Sequence, residues 1–306
     1  MIGPLRIKIF TGYLAWLFLC VPLLFGAQEN VGTTAMDFSK LSTSVKSDAV
    51  GNALTAGMDL SALSLNPASI ASERQVEIYF QHLGYIQDIT FQTLSVAVPT
   101  PLGVFGFDAG LIDTGTQIRT TVQDKSGTGD TFSNQAYQAG IAYANKIGEV
   151  SLGAAGRYYV QYLDSQKGTT VGLDLGINYQ PNSAFSLGAA VNNITLQKAK
   201  YVAVEAGLPQ TYRLGVQYHS EWFKNPLTLS AHVVSPQDDV LYVGVGIDYV
   251  VYQMLALRGG YNSYSDLSTL SIGLGLLLEG ASIDFAYKPT KDFGQSYRMG
   301  IGIKLK

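Results

Sequence analysis

From about Glu77 to the last residue, side-chain character alternates residue by residue. That two-residue period restricts the chain to strands with one greasy face. Val171, Leu173, Leu175, Ile177 and Tyr179 enclose Gly172, Asp174, Gly176 and Asn178. The same pattern returns in Tyr212, Leu214, Val216 and Tyr218, in Leu241 to Tyr249, in Ile272 to Leu278, and in Tyr297, Met299, Ile301, Ile303 and Leu305. Many of these runs reach about ten residues, longer than the roughly 5–6 usual in soluble domains and matched to the roughly 9–11 that a tilted strand needs to cross a bilayer. Tyrosines near the run ends, Tyr179, Tyr218 and Tyr249, stand where a membrane interface favours amphipathic rings.

Composition narrows the class further. Charged residues make up 14% of the 306, against 33 Gly and 19 Tyr, and ordinary soluble proteins carry roughly 25% charge. Beyond the leader, no segment has the 18 consecutive apolar residues of a membrane helix. The class that fits is an all-β, transmembrane antiparallel barrel. A net charge of −3 leaves no electrostatic footprint for nucleic acid.

Three segments are expected. Residues 1–27 resemble an export signal: Arg6 and Lys8, an apolar core from Ile9 to Phe25, and small Gly26-Ala27 at a cleavage site. Cys20, the only cysteine, falls inside it, so the mature chain has no disulfide framework. Residues 28–74 do not alternate. Ser47-Asp48 reads as a cap before Ala49, Val50, Ala53 and Leu54, and Asn66-Pro67-Ala68 as a turn or short helix start. Residues 75–306 divide at Gly, Pro, Asn and Asp clusters into about fourteen strands. Short links such as Pro99-Thr100-Pro101 and Glu279-Gly280 alternate with longer ones, Asp113–Thr131 and Ile194–Gln210 being the longest. This parity puts both termini on the short-turn, periplasmic side. Ser220–Pro226 is longer than the pattern wants. Residues 28–74 either plug the lumen or hang in the periplasm; a fourteen-strand lumen is too wide to fill with its own side chains, which makes a plug the physically sensible expectation.

Gly32-Thr33-Thr34-Ala35, Phe38, Lys40, Ala49-Val50-Gly51-Asn52-Ala53, Asn66-Pro67-Ala68-Ser69-Ile70 and Val98–Gly103 together resemble the PorV/PorQ family within the FadL-like superfamily of outer-membrane barrels. The chain departs from the family pattern at Gly51-Asn52-Ala53, at Asp59, which lacks a second acidic neighbour, and at Ser69. The resemblance implies fourteen strands, an N-terminal hatch in the lumen, and passive uptake of hydrophobic compounds such as long-chain fatty acids, without enzymatic chemistry or cofactor. Outer-membrane lipid and an apolar small molecule are the implied partners. PorV-like members imply the alternative, an accessory barrel that works with type IX secretion-system proteins.

The residues expected to hold an apolar ligand are Phe38, Leu41 and Leu54, with Asn66, Pro67 and Ala68 as the hinge between hatch and barrel. On the lumen face, Arg157, Arg213, Arg258 and Arg298 are candidates to meet a carboxylate, with Arg213 and Arg258 preferred because each stands mid-run with few like charges beside it. His219 and His232 lack a third ligand or a nucleophile, so no metal or catalytic site is expected. Gly244-Val245-Gly246 and Gly300-Ile301-Gly302 have no helix after them and read as strand glycines that admit a plug.

Overall fold

The computed structural model describes residues 32–85, 89–201, 204–263, 269–289 and 295–305. The expected export signal and Cys20 lie outside the described residues. Fourteen strands close into one antiparallel barrel: β1 (Val76–Gly84), β2 (Thr90–Thr100), β3 (Gly103–Ile118), β4 (Thr131–Ile147), β5 (Val150–Leu163), β6 (Gln166–Tyr179), β7 (Phe185–Gln197), β10 (Thr211–Trp222), β11 (Asn225–Pro236), β12 (Tyr242–Val251), β13 (Leu255–Asn262), β14 (Leu270–Leu278), β15 (Ala281–Pro289) and β16 (Gln295–Leu305). A separate two-stranded hairpin, β8 (Ala199–Tyr201) and β9 (Val204–Ala206), folds between β7 and β10. Closure joins β1 to β16, with Val76 opposite Leu305 and Gly84 opposite Tyr297. No strand edge of the barrel is left for lipid to meet.

Alternation decides which face each side chain takes. Ile141, Ile272 and Ile301 are 61%, 62% and 52% exposed and point outward. Aliphatic exposure of that extent, repeated around the wall, is an apolar belt that only lipid covers without penalty. The inward neighbours Gln138, Asp174, Arg213, Asp284 and Arg298 are buried.

Strands run past the expected limits. β3 and β4 are 16 and 17 residues long and continue together beyond a bulge between Asp113 and Thr116. The long Ser220–Pro226 link disappears because β10 and β11 pair down to Trp222 and Asn225. Phe223 and Lys224 make the turn with φ of 47° and 62°, the left-handed pair that a two-residue hairpin of matched twist requires. The sequence misleads there because neither residue is the usual Asn or Gly.

The segment before β1 fills the lumen. It holds a 3-10 turn at Asp37–Lys40, a five-residue helix α1 (Val45–Ala49), and 3-10 turns at Leu60–Ala62 and Pro67–Ser72. Two sequence expectations need correction. The helix cap is Ser44, whose side chain accepts from the Ser47 backbone at 3.2 Å, not Ser47-Asp48; the helix stops where Gly51 and Asn52 turn left-handed, with φ of 66° and 63°. The described N-terminal stretch also does not lie on the short-turn side. The Ala35 amide donates to Gly207 O at 2.8 Å and Thr34 Oγ1 to Asp238 Oδ2 at 2.5 Å, both beyond the far ends of the strands. Strand parity fixes the ends of β1 and β16, not the path of the thread before them. The hatch therefore crosses the whole lumen, from the long-loop end (the loop end) to the end where β1 begins and β16 stops (the terminal end).

Candidate functional site

The hatch leaves its outline in the wall as glycines. A Cβ on Gly273 would strike Ala49; on Gly246 and Gly260, the backbone around Val50 and Gly51; on Gly188 and Gly215, Thr55 and Ala56; on Gly176, Asn66 and Pro67; on Gly153, Pro67 and Ala68; on Gly106, Ile70. Following these contacts, the segment crosses β14, β13, β12, β10, β7, β6, β5 and β3 in turn. At Gly153, Gly188, Gly215, Gly246 and Gly260 hatch backbone lies where the Cβ would go, and at Gly106, Gly176 and Gly273 a hatch side chain does.

Asn66 fixes the far part of this path. Its Oδ1 accepts from the Ala68 amide at 3.0 Å, capping the turn in which Pro67 takes the first position. Its Nδ2 donates to Thr55 O at 2.8 Å, Asn178 Oδ1 at 2.8 Å and Ile177 O at 3.2 Å. Pro67 and Ala68 are buried beside it.

Among the described residues, a cavity lies on each side of the hatch. The loop-end cavity, about 390 Å³, has Phe38, Leu41, Leu83, Ile89, Ile112 and Tyr242 in its lining, with Asp37, Lys40, Asp48, Arg213, Lys288 and Arg298 as its charged residues. Phe38 is held by an edge-on contact with Tyr159, ring centres 5.9 Å apart. The terminal-end cavity, about 230 Å³, is more polar; Lys46, Asp59, Gln217, His219 and Asp248 reach it, together with Leu54. The three apolar hatch residues are thus divided: Phe38 and Leu41 line the first cavity and Leu54 the second. Leu54 packs with Val50, Ala62 and Leu65, on the opposite side of α1. Which side of the hatch a residue takes depends on the tertiary path, and a five-residue helix has too little periodicity to show it.

The four arginines all point inward, with different partners. Arg157 donates through Nε to Asp108 at 3.0 Å and pairs with Asp174. Arg258 pairs with Asp284 at 2.5 Å and Asp248 at 3.3 Å. These are closed wall-to-wall pairs, and neither arginine lines the loop-end cavity. Arg298 binds the hatch: its Nε lies 2.6 Å from Asp48 Oδ2, and it also donates to Ser42 O. Arg213 donates to Asn192 Oδ1 at 3.0 Å, and among the described residues it forms no ion pair. Of the two preferred arginines, Arg213 alone lines the loop-end cavity.

Sequence reasoning missed Asp48 as a site residue. It is buried, and it receives Lys288 at 2.9 Å as well as Arg298. The hatch segment has several acids, Asp37, Asp48, Asp59 and Glu73 among them, and nothing local marks which of them meets the basic residues of the last strands. Lys46, two residues earlier, faces the other cavity and pairs with Asp59 at 2.7 Å and Asp248 at 3.9 Å. Burial opposes ionisation of Asp59, but Lys46 outweighs it and holds the carboxyl down at about 2. Glu73 is the reverse case: burial, then the carboxylates of Glu77 and Asp59, push it up to about 7, while its Oε1 accepts from the Leu60 amide at 3.0 Å.

His219 sits between Thr228 and Ser186, at 3.2 and 3.4 Å, and His232 beside Thr55 at 3.4 Å. Ser186 Oγ donates to Ala56 O, so its proton is committed to the hatch. Among the described residues, no group of His, Cys, Asp and Glu is arranged to hold a metal.

Solved structures share this architecture. The toluene transporter TodX of Pseudomonas putida superposes with a TM-score of 0.59 at 13% identity, over 88% of this chain and 97% of that one. A Pseudomonas aeruginosa FadL homologue gives 0.57 at 13% identity, over 87% and 99%. The CymD monoaromatic hydrocarbon channel gives 0.56 at 12% identity, over 86% and 98%. The chain has the fold of these barrels. No family model and no curated protein sequence matches it.

Proposed function

We propose that this protein is an outer-membrane channel for the passive uptake of small hydrophobic compounds, with the loop end at the cell surface and the terminal end in the periplasm. The observation that carries this reading is the loop-end cavity. It sets the apolar side chains of Phe38, Leu41, Leu83, Ile89 and Ile112 beside a cluster of charged ones, and holds one arginine without an acid partner among the described residues. A pocket of this size that joins an apolar lining to convergent polar groups is the usual form of a small-molecule site. The solved barrels of the same fold include a toluene transporter and a monoaromatic hydrocarbon channel, which supports a hydrophobic cargo.

Arg213 refines the class toward an apolar body with an anionic head, as in a long-chain fatty acid. A guanidinium can offer two parallel donors to a carboxylate, and Arg213 has only its Nε engaged. Phe38 and Leu41 then cover the apolar body from the hatch side. Passage needs no nucleotide and no covalent chemistry: the ligand moves down its own gradient once the hatch shifts. The test is equilibrium binding of dodecanoate and toluene to the protein in lipid nanodiscs. Saturable binding, with protection of the Phe38 region against hydrogen exchange, is expected. Absence of saturable binding of either compound would refute the reading.

A further inference from the structure

We propose that Asp48 makes the hatch respond to anions, so that the head group of the cargo, and not its apolar body, releases α1 from the wall. The inference rests on the loop-end cavity being the ligand site and goes beyond it by naming the residue that separates anionic from neutral ligands.

Asp48 is the carboxylate that α1 itself places in that cavity. It stands on α1 between Lys288 of β15, 2.9 Å away, and Arg298 of β16, 2.6 Å away. Both cations also line the cavity. Arg298 is almost wholly covered, whereas the Lys288 side chain is 21% exposed, so of these two partners of Asp48 it is Lys288 that an anion in the cavity can reach. A ligand carboxylate has the same charge and the same acceptor geometry as Asp48. It can take over the lysine ammonium with little loss of charge pairing, whereas a neutral ligand has nothing to offer it.

The rest of α1 is poised for such an exchange. On its other side Lys46 is held by Asp59 and Asp248, facing the terminal-end cavity. The helix is thus tied by opposite charges on its two sides, and an anion arriving from the loop end competes only for the Asp48 tie. The other contacts of α1 with the wall are short-range, among them Val45 against Gly300, Ala49 against Gly273, and Ser271 Oγ donating to Ala49 O at 3.1 Å. The helix has five residues, too few to hold itself without its neighbours.

The test is hydrogen exchange of the amides of residues 45–54 in nanodiscs, with dodecanoate and with dodecanol, which has the same chain and a neutral head. Loss of protection with dodecanoate, and none with bound dodecanol, supports the latch. Dodecanoate binding with protection unchanged overturns the latch and leaves the uptake reading standing; equal loosening by both ligands overturns its charge selectivity. Binding of neither overturns the cavity reading and the latch with it. In Asp48→Asn the segment should already be loose, with no further change on adding dodecanoate. Lys288→Gln, a milder change at a partly exposed site, should loosen α1 in part and reduce the dodecanoate response. A fully protected α1 in Lys288→Gln would count against the proposal even if Asp48→Asn failed to fold.

Discussion

Asn66 of the hatch and Asn178 of β6 are hydrogen-bonded side chain to side chain at 2.8 Å, and Asn178 in turn donates to Gly57 O at 2.8 Å. Two amides thereby join two separate hatch segments to one wall strand. This end of the hatch is anchored by hydrogen bonds, the α1 end by ion pairs.

Replacing Asn66 by Ala removes the cap on Pro67–Ser72 and strips donors from Thr55 O and Asn178. A buried group left unpaired costs about 1–3 kcal/mol. The barrel is expected to assemble and keep its heat-modifiable migration on gels, while limited proteolysis cuts sooner between residues 55 and 72. If the barrel itself fails to form, the motif belongs to assembly and is not a hinge.

Gly260 has no room for a side chain, because the backbone of Val50 and Gly51 lies against it. Gly260→Val should push the hatch off β13 and β12 at a cost of roughly 1–3 kcal/mol. Exchange of the 45–54 amides would rise while the strand amides of β13 keep their protection. Gly259→Ala, with only Ile247 near its Cβ direction at 3.5 Å, should change neither.

Glu73 gives the hatch a pH dependence of known sign. Its carboxyl is raised from 4.5 to about 7 by burial and by Glu77 and Asp59. Between those values the folded hatch binds more protons than the unfolded one, so its stability falls as pH rises from about 4.5 to 7. Asp59, lowered from 3.8 to about 2, contributes stability above 3.8 that is lost only as pH falls through about 2, outside that window. Hatch protection measured at pH 5 and pH 8 should be higher at pH 5, and Glu73→Gln should remove most of the difference. An unchanged difference in the variant would assign it to another group.

Arg213→Met keeps the volume and removes the charge. Hydrogen bonds to charged groups contribute about 1.5–3 kcal/mol, so dodecanoate affinity should fall roughly 10- to 100-fold, with dodecanol affinity little changed. Arg157→Met should not act through binding. It leaves Asp108 and Asp174 buried without their partner, so its effect is expected on barrel stability, by about 3–5 kcal/mol.

The barrel was legible because each wall strand obeys one local rule. Val171 to Tyr179 and Tyr297 to Leu305 show their two faces without knowledge of any neighbour. The fourteen strands follow from those runs and the turns between them. The inward arginines were legible for the same reason. Their partners were not: Arg258 reads like Arg213 in sequence, and only the register that brings Asp248 opposite it, with Asp284 two strands away, separates a structural pair from an available cation. The hatch hid more. α1 is too short to show a helical period, β8 and β9 are three residues each, and the division of Phe38 and Leu41 from Leu54 arises from a path through the lumen. The glycines at 153, 176, 188, 215, 246, 260 and 273 did record that path, but they name a close neighbour without saying which one.

The central claim is uptake through this barrel, and the direct measurement is entry of radiolabelled dodecanoate into cells of a bacterial host that lacks a channel of its own. Cells producing the wild-type protein should take up the acid faster than cells with an empty vector, in a saturable way, and Arg213→Met should reduce that rate at equal surface abundance. Uptake no faster than the empty vector, from a correctly assembled barrel that purifies with a stoichiometric protein partner, would contradict the account and place the protein among accessory barrels.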